Sequence, residues 1–584
     1  MAESTEDNNQ ADVDNNDNEN LNTDSIEDLD LTWIDKLKFF SSTYWRGVIC
    51  LMAPVILITI LTPFPPKKYQ WCAYTLVLMA IYWVTECIPL AITSFLPIVI
   101  FPLTGVMDTS TTCACYMNDT VLMFLGSMIL AAAVEQSGLH VRMALCAIKA
   151  IGYSHYRLLF ALSFMTMFIS MWITNTAATT MMVPINFAML KVFEDQQLLT
   201  IYETTNDGSV VASDITTCYF CATTFSATIG GIGTLVGTAT NLVFKGLFSR
   251  AYPSAPDYLT FPRFSAFTIP YMLVLEAAMY FCLVVVYFGF LRPQSKEAEK
   301  THISQEGQDA AKQKVAEDWM KLGRISFWEI MVIILFSGAM LMFFCRSPKI
   351  FTGWGDKIIN YYNKTNKYVL DSTAAMLISF LMCLLPSNLN FFKHFDRRVE
   401  IEDLPKSPIP SVLSWTLLNS ILPYSFMFLL GGGFALSEAA KPEHSDLNGK
   451  IGDFLQTLNS LPNCIIILLI IIFTVFITNF ASNVAVCNVI APIVMQLAQE
   501  VNRNPLWYNI AAGLSASYCF FLPVGTPGNL IVQGAANIST SQMMKAGFGP
   551  TITTILISWL AIYFWAPVIW PELHSYPDWI YKKD

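Results

Sequence analysis

Charged side chains are scarce in this chain of 584 residues, and their scarcity limits what the protein can be. Asp, Glu, Lys and Arg make up 13% of the residues, whereas hydrophobic residues make up 54%. Ordinary soluble domains contain about a quarter charged residues. No basic patch or stripe is present, which argues against nucleic acid as a partner. The composition therefore predicts a protein that lies in the lipid bilayer.

The sequence also lacks the motifs of catalysis and of metal or disulfide frameworks. The fourteen cysteines are scattered, mostly in apolar segments. Cys218 and Cys221 have CxxC spacing without a second pair, which is typical of two small packing residues. The six histidines form no ligand spacing, and no HExxH motif, Walker loop or Ser-His-Asp order is present. We predict that the chain is not an enzyme and needs no cofactor, unless Na⁺ serves as a coupling ion.

Basic residues are absent from the first 35 positions, which are rich in Asp, Glu and Asn. Such a segment cannot bury enough apolar surface to fold. We therefore predict a disordered, acidic, cytoplasmic tail over residues 1–36. It has no basic region of the kind that begins a cleaved signal peptide.

Apolar runs alternate with polar loops along the rest of the chain. Runs such as 46–64 and 327–344 are long enough to cross a membrane. Basic residues cluster in 292–326 and 387–411, and the positive-inside rule predicts that both loops are cytoplasmic. The segment 345–371 between them is then outside. This topology leaves the N-terminus in the cytoplasm and the C-terminus outside the cell.

Three glycosylation triplets bear on this topology. Asn363-Lys364-Thr365 lies in the predicted outer loop, and Asn118-Asp119-Thr120 would be outside but close to the bilayer. Asn537-Ile538-Ser539 would be inside and unmodified.

One unusual pattern occurs twice. Thr174-Asn175-Thr176 is followed after seven residues by Pro184, and Ser482-Asn483-Val484 is followed after seven residues by Pro492. A Gly-Thr-x-x-Asn segment comes behind each copy, at 237–241 and at 525–529. Matched polar breaks in two halves of a membrane protein are typical of the binding sites of secondary transporters. The topology gives the two copies opposite orientations, which predicts an inverted repeat.

The polar breaks have a physical reason. Non-helical backbone survives at membrane depth only where it is buried in protein or lines a cavity. Unwound helix ends expose N–H groups, which attract anions, and carbonyl oxygens, which suit Na⁺. Neither hairpin motif contains Lys or Arg, which favours recognition of an anion by neutral groups. The alternative is that these small polar residues only bring helices close together, and the matched second copy argues against it.

Four glutamates lie in or beside apolar runs: Glu86, Glu135, Glu276 and Glu438. Carboxylates at membrane depth are candidates for a functional role. We do not expect these four to contact the substrate.

At these motifs the chain resembles the divalent anion/sodium symporter family of di- and tricarboxylate and sulfate carriers, and most closely its animal "I'm not dead yet" (INDY) branch. The resemblance covers nearly the whole chain beyond the acidic tail. It rests on four segments, which are YWVTECIPLAITSFLPI (82–98), SMWITNTAATTMMVPI (170–185), SNVAVCNVIAPI (482–493) and LPVGTPGNLIV (522–532).

The resemblance implies an all-α polytopic membrane protein with about 11 transmembrane helices and two re-entrant helical hairpins in an inverted repeat. It also implies a homodimer in which a transport domain moves as an elevator against a scaffold. The implied organisation is scaffold helices at 37–115, a first transport unit at 116–262 (hairpin 157–191, broken helix 216–248), scaffold helices and cytoplasmic loops at 263–411, a second transport unit at 412–545 (hairpin 462–500, broken helix 508–535) and a last helix and tail at 546–584.

The resemblance also implies the site residues. The substrate would contact Thr174, Asn175, Thr176, Ser482, Asn483, Val484, Thr526 and Pro527. Candidate Na⁺ sites would be lined by Thr174, Asn175, Gly233, Thr234, Gly237 and Asn241 on one side and by Ser482, Asn483, Gly525, Thr526 and Asn529 on the other.

This sequence departs from the family pattern at several of these positions. Thr174 replaces the usual Ser, and Gly525 and Gly528 replace Ala and Pro. Ala485-Val486-Cys487 stands where many sodium-coupled members have Ala-Thr-Thr, which puts the second sodium site in doubt.

The leading hypothesis is a plasma-membrane carrier of citrate, succinate and related Krebs-cycle anions, working as a Na⁺ symporter or as a cation-independent anion exchanger. One alternative is a sulfate or other divalent inorganic anion carrier of the same family. A second alternative, from a different class, is a carboxylate receptor that does not transport.

Overall fold

The structure is a computed structural model that describes residues 33, 38–40, 43–62, 64–204, 210–291, 294, 305–348, 350–363, 368–395, 404–447, 449–450 and 461–580. The predicted acidic tail therefore lies outside the described residues, apart from Trp33. Lys364 and Thr365 of the predicted glycosylation triplet also lie outside them.

The described part of the chain is mainly helical. The first helices are α1 (Trp45–Leu57), α2 (Lys68–Thr85), α3 (Leu90–Thr93), α4 (Leu96–Leu103), α5 (Thr109–Ala114), α6 (Asp119–Gln136) and α7 (Leu139–Ile151). The next helices are α8 (His155–Ser170), α9 (Asn175–Asp195), α10 (Asp214–Gly231), α11 (Ala239–Ala251) and α12 (Phe261–Tyr287). The middle of the chain contains α13 (Gln305–Leu322), α14 (Phe327–Cys345), α15 (Trp354–Tyr362), α16 (Asp371–Leu384), α17 (Trp415–Ile421) and α18 (Ser425–Ala439).

The last part repeats the pattern of α8 to α12. It contains α19 (Asn463–Thr478), α20 (Asn483–Glu500), α21 (Pro505–Ser515), α22 (Pro527–Ala536), α23 (Thr540–Leu560) and α24 (Ala566–Ile569). Short 3₁₀ turns lie at Ile58–Leu61, Asn390–Phe395, Pro571–His574 and Asp578–Ile580, and a π-helical turn lies at Ala561–Trp565.

Both copies of the repeated motif form a helical hairpin followed by a broken helix. In each hairpin the second arm begins at an Asn, and the first arm ends five residues before it, at Ser170 in the first copy and at Thr478 in the second. Each broken helix has a loop between its halves, over residues 232–238 and 516–526. Glycines at both breaks leave room for close backbone approach, as described below.

The two copies are packed into one core. The second hairpin arm α9 lies along α22 of the other copy, and α11 lies along α20. Phe225 and Phe520, which come from the two copies, have ring centroids 5.2 Å apart. Thr224 of α10 also donates a hydrogen bond to the Asn529 side chain over 2.9 Å.

The helix count by length is smaller than the predicted count of about eleven. Five helices within the described residues are long and apolar enough to cross a membrane, or six if the bent pair α17 and α18 forms one span. The remaining apolar helices in the described part of the chain have 10–17 residues. One of them, α19, is the first arm of the second hairpin, and a hairpin arm need not reach across a bilayer. The full count of spans remains a prediction.

One small sheet accompanies the helices. Strands β1 (Tyr202–Thr204) and β2 (Val210–Ala212) pair antiparallel, with Tyr202 opposite Ala212. The Ala212 amide donates to the carbonyl of Asn537, which ends α22. The sheet therefore joins the chain after the first hairpin to the second broken helix, a link that the sequence did not predict.

Buried ion pairs join α11 to the helices around it at the end of the molecule near 346–371. Arg346 contacts Asp371 at 2.5 Å and Asp257 at 2.8 Å, and Lys245 contacts Asp371 at 3.1 Å. Arg250 contacts Glu438 at 3.0 Å. These contacts connect the first broken helix with α14, α16 and α18.

Candidate functional site

The tip of the first hairpin brings three oxygen atoms together. The Ser170 hydroxyl lies 3.0 Å from Asn175 Oδ1 and 2.6 Å from the Ala227 carbonyl oxygen. Ser170 ends α8, Asn175 begins α9, and Ala227 lies in the last turn of α10. The hairpin tip and the first broken helix therefore meet at this cluster.

The tip of the second hairpin repeats this geometry. The Thr478 hydroxyl lies 2.8 Å from Asn483 Oδ1 and 2.6 Å from the Ala516 carbonyl oxygen. The Asn483 amide nitrogen donates to the carbonyl of Ser517 at 3.5 Å, which orients the side-chain oxygen towards Thr478. The two copies thus share the arrangement of a hydroxyl group, an Asn side-chain oxygen and a carbonyl oxygen.

Each cluster has more acceptors than hydrogens. A hydroxyl group has a single hydrogen, yet each of these hydroxyls has two oxygen acceptors within 3.0 Å. Neutral oxygens of this kind, gathered at a helix break, are suited to binding Na⁺. Both tips are therefore chemically suited to a small monovalent cation.

Carbonyl oxygens also converge on Gly237 at the first break. A Cβ atom added to Gly237 would lie 2.5 Å from the Gly231 carbonyl oxygen, 2.9 Å from that of Met171 and 3.0 Å from that of Ser170. Only glycine fits this position without displacing backbone. The Asn175 side-chain oxygen lies against Gly231. The three carbonyl oxygens around Gly237 are therefore next to the oxygen cluster of the first hairpin tip.

The second break differs at the corresponding place. A Cβ atom added to Gly525 would lie 2.7 Å from the Thr478 carbonyl oxygen and would overlap the Cys519 sulfur. The cysteine side chain therefore fills space that is bordered by carbonyl oxygens in the first copy. Cys519 is fully buried.

Two buried asparagines hold the break loops in shape. The Asn241 amide nitrogen donates to the carbonyl oxygens of Gly231 at 3.0 Å and Thr234 at 2.7 Å. The Asn529 amide nitrogen donates in the same way to Cys519 at 3.1 Å and to Leu522 at 3.0 Å. This matched pattern identifies Gly231 with Cys519 and Thr234 with Leu522. The contacts give Asn241 and Asn529 a loop-holding role beside the cation clusters.

Four half-helices begin at the predicted motifs, and three of them have no side-chain cap. Thr174 caps α9 through the Ala177 amide at 3.3 Å. Thr238, Ser482 and Thr526 stand before α11, α20 and α22 without a side-chain cap. The positive ends of these helices attract an anion, although Pro527 leaves α22 without an N–H group at its first position.

The other predicted residues have mixed surroundings. Thr176 is partly accessible, Pro527 is exposed, and Val484 is buried. The Thr234 hydroxyl donates to the Met171 carbonyl at 2.5 Å, and the Gly233 carbonyl accepts from Thr268 at 2.9 Å. These last two residues thus tie the first break to the hairpin and to α12.

The unusual residues after the second tip lie in the protein interior. Val486 and Cys487 are 3% and 0% exposed, respectively, and both lie in α20. The second oxygen cluster uses Thr478 and Asn483 instead. Val486 and Cys487 are therefore not members of the second oxygen cluster, and its role as a cation site stays a prediction.

Ser170 and Thr478 were missed by the sequence analysis. Each lies five residues before the Asn of its motif, at the end of an apolar helix where Ser and Thr commonly hydrogen-bond their own backbone. Their equal spacing from the two asparagines is the signal that could have found them.

Charged residues gather elsewhere. Cavities of about 400 and 370 Å³ are lined by ion-pair residues such as Arg346, Asp257 and Glu438, away from the hairpin tips. No group of His, Cys, Asp and Glu within the described residues could hold a metal ion. The hairpin tips remain the better candidate, because their neutral groups can bind an anion and release it.

Comparison with known proteins identifies the family. The model of the sodium:sulfate symporter transmembrane region matches residues 41–571. The protein "I'm not dead yet" of Drosophila melanogaster is 37% identical over 556 residues, covering 93% of this chain and 92% of that protein. The Na⁺/citrate cotransporter of Rattus norvegicus is 32% identical, covering 94% of this chain and 98% of its own length.

A third relative is Na⁺/dicarboxylate cotransporter 3 of Mus musculus, which is 31% identical and covers 91% of this chain and 94% of its own length. Among solved structures, the YdaH transporter of Alcanivorax borkumensis is similar with a TM-score of 0.47 and 14% identity, over 78% of this chain and 86% of that one. The chain belongs to the sodium:sulfate symporter family of membrane transporters.

Proposed function

We propose that this protein is a secondary active transporter of di- and tricarboxylates, such as citrate and succinate, across the plasma membrane. The observation that carries the proposal is the duplicated cluster of a hydroxyl, an Asn oxygen and a carbonyl at the two hairpin tips. Support for the substrate class comes from the names of the relatives, which specify citrate and dicarboxylates.

The substrate anion binds between the two tips. The hydroxyl and amide groups of Thr174–Thr176 face one end of the substrate, and Ser482 and Asn483 face the other. Uncapped helix N-termini at Ser482 and Thr526 add partial positive charge without a fixed ion pair. Neutral groups at two ends suit a molecule with two separated carboxylates, which they can release after translocation.

Sodium ions bind at the two oxygen clusters and enter as co-substrates. A cation beside each tip offsets the charge of the anion in a low-dielectric site, so each ligand binds better when the other is present. The relatives named as Na⁺ cotransporters support this coupling. Cation-independent exchange is the alternative mechanism for the same substrates.

Transport proceeds by an elevator movement in a homodimer. The two transport units 116–262 and 412–545 move together against the scaffold segments 37–115 and 263–411, except that α12 moves with the first unit, to which Thr268 and Glu276 are hydrogen-bonded. The shared core, with Phe225 against Phe520 and Thr224 bonded to Asn529, supports movement of both repeats as one body. In this arrangement the N-terminus is cytoplasmic and the C-terminus is extracellular.

The first test is uptake of labelled citrate and succinate by cells that express the protein, in sodium and in choline buffer. Uptake that requires sodium supports symport, and equal uptake in both buffers supports exchange. Absence of uptake of both acids, with the protein at the cell surface, contradicts the proposed substrate class. Sulfate as a competitor tests the other anion class named by the family.

The oxygen clusters are tested with Ser170→Ala and Thr478→Ala. A hydrogen bond or ligand contact to a charged partner contributes about 1.5–3 kcal/mol. Each variant should therefore raise the sodium concentration for half-maximal uptake by roughly ten- to a hundredfold. Thr166→Ala is the matched control, because the Thr166 hydroxyl bonds only to the Leu162 carbonyl of its own helix.

Substrate contact is tested with Asn175→Ala and Asn483→Ala. We expect both variants to reach the surface and to lose uptake, because each removes a group shared by anion and cation. Normal uptake in both would refute the assignment of the hairpin tips as the site.

A further inference from the structure

Glu276 is a buried carboxyl group near the middle of α12 with only one hydrogen-bond donor. Its side chain accepts from the Ser226 hydroxyl at 2.7 Å through Oε1. Its other oxygen, Oε2, is buried and has no hydrogen-bond partner among the described residues. The residue is 6% exposed, and no described Lys, Arg or His forms an ion pair with it.

The position of Glu276 connects it to the first hairpin tip. Thr268 and Met272 lie on the same face of α12 and contact Gly233 of the first break. Glu276 follows Met272 by one helical turn, about 5.4 Å along the axis. Its partner Ser226 directly precedes Ala227, whose carbonyl belongs to the first oxygen cluster.

The second repeat has no acid at the matching place. Helix α23 begins at Thr540 as α12 begins at Phe261, and Gly547 contacts the second break as Thr268 contacts the first. In this register Ile555 occupies the position of Glu276. The carboxyl group is therefore a property of the first tip alone and not of the shared architecture.

A buried, ionised carboxylate without a countercharge is strongly unfavourable, and one hydroxyl donor does not compensate for it. The carboxyl group is therefore neutral while no cation is near. A cation at the first tip would stabilise the ionised form, because attraction between opposite charges is strong in the protein interior.

We propose that Glu276 is a proton-binding site linked to the first cation site, so that cation binding releases one proton from Glu276 to bulk water. Linkage is reciprocal, so protons and sodium ions compete. This inference rests on the proposed function only in taking the first oxygen cluster as a cation site. It makes carboxylate transport sensitive to proton concentration through the first repeat.

Other titratable groups on the helices around Glu276 form no hydrogen bond or ion pair with it among the described residues. They are Asp214, Cys218, Tyr219 and Cys221 on α10, His155, Tyr156 and Arg157 on α8, Glu329 and Cys345 on α14, Lys545 on α23, and Arg263, Tyr271, Tyr280, Cys282 and Tyr287 on α12 itself. Among them His155 is the imidazole group, and its Nδ1 lies 3.0 Å from the Tyr219 hydroxyl. His155→Gln therefore serves as the control for a competing source of pH dependence.

The experiment uses the purified full chain in detergent with weak buffer and a pH indicator. Sodium chloride is added, with choline chloride as the reference salt. We expect about one proton per chain to be released by the wild type and by His155→Gln, and none by Glu276→Gln. Glu135→Gln, the same change at the exposed end of α6, should behave as the wild type.

The same preparations give a second readout. The sodium concentration that half-saturates protection against thermal unfolding should rise several-fold from pH 8.5 to pH 5.5 in the wild type and stay constant in Glu276→Gln. Gln resembles the protonated acid, so this variant should fold with wild-type stability in choline buffer. A large loss of stability there would show that the ionised carboxylate is needed and would overturn the proposal.

Proton release that is unchanged in Glu276→Gln, or absent from the wild type, would also overturn it. Carboxylate uptake into liposomes made from the same protein separates this failure from failure of the proposed function. Uptake without sodium-linked proton release refutes only the role of Glu276. Proton release that depends on Glu276, without carboxylate uptake, supports the proton site and refutes the substrate.

Discussion

Gly525→Ala tests whether the second break has room for a side chain at position 525. The added Cβ would overlap the Cys519 sulfur and lie 2.7 Å from the Thr478 carbonyl oxygen. Real Cβ atoms essentially never come within 3.0 Å of another heavy atom, so the side chain or the loop must shift. Overpacking of a filled interior costs about 1–3 kcal/mol. We expect Gly525→Ala to destabilise the protein by this amount and to weaken uptake.

The assay is thermal unfolding of the purified protein in detergent, together with uptake in cells. Gly534→Ala is the matched control in α22, because no atom lies within 4 Å of its added Cβ. It should be neutral or up to about 1 kcal/mol more stable, since Ala favours helix over Gly. The double variant Cys519→Ala with Gly525→Ala should recover part of the loss, because the close approach to the Thr478 carbonyl oxygen remains.

The reasoning fails if Gly525→Ala unfolds at the wild-type temperature. It also fails if the double variant is no more stable than Gly525→Ala alone. Coupling between contacting residues should exceed 0.5 kcal/mol in a double-mutant cycle. A coupling free energy of zero would mean that the Cys519 sulfur and the added methyl group do not compete for the same space.

Two further predictions concern the end of the molecule near 346–371. Arg346→Ala leaves Asp371 and Asp257 without their guanidinium partner. Breaking a buried ion pair costs about 3–5 kcal/mol. Surface biotinylation should therefore show a sharp fall in the amount of protein at the cell surface. Asn363, which is exposed at the end of α15, should be glycosylated in cells, and Asn363→Gln should remove an endoglycosidase-sensitive band shift. Asn537→Gln should leave the band unchanged, and a shift lost in that variant would contradict the predicted topology.

Sequence reasoning predicted the two hairpins and the two broken helices because a repeat is visible without coordinates. Matched polar motifs around Asn175 and Asn483 stand out against an apolar background, and glycines mark the breaks behind them. The structure has a hairpin and a broken helix at each of these places. Each feature depends on local chain chemistry, so the sequence alone could predict it.

Contacts between distant segments could not be predicted in this way. Ser170 bonds to Ala227 and Thr478 bonds to Ala516, and the equal spacing of the two hydroxyl residues from Asn175 and Asn483 does not reveal which distant carbonyl each one contacts. The strand pair at 202–212 was also missed, because its link to Asn537 joins segments more than 300 residues apart in the chain.

Gly525 stands where the family usually has Ala, and in this chain the Cys519 side chain occupies the space that an Ala methyl group would need. The first break has no such filler, and three carbonyl oxygens border Gly237 instead.

The same differences between the two hairpin tips predict that they bind sodium with different affinity. Both have the oxygen cluster, but only the first adds converging carbonyls, the Thr234 hydroxyl and a carboxyl group one turn away. At the second tip the Cys519 sulfur fills the space beside Gly525, and Leu522 and Ile555, which match Thr234 and Glu276, have no side-chain oxygen. More oxygen ligands and a nearby acid favour a cation, so we expect the first tip to bind sodium more tightly. Thr478→Ala should then leave one high-affinity sodium site, whereas Ser170→Ala should remove it.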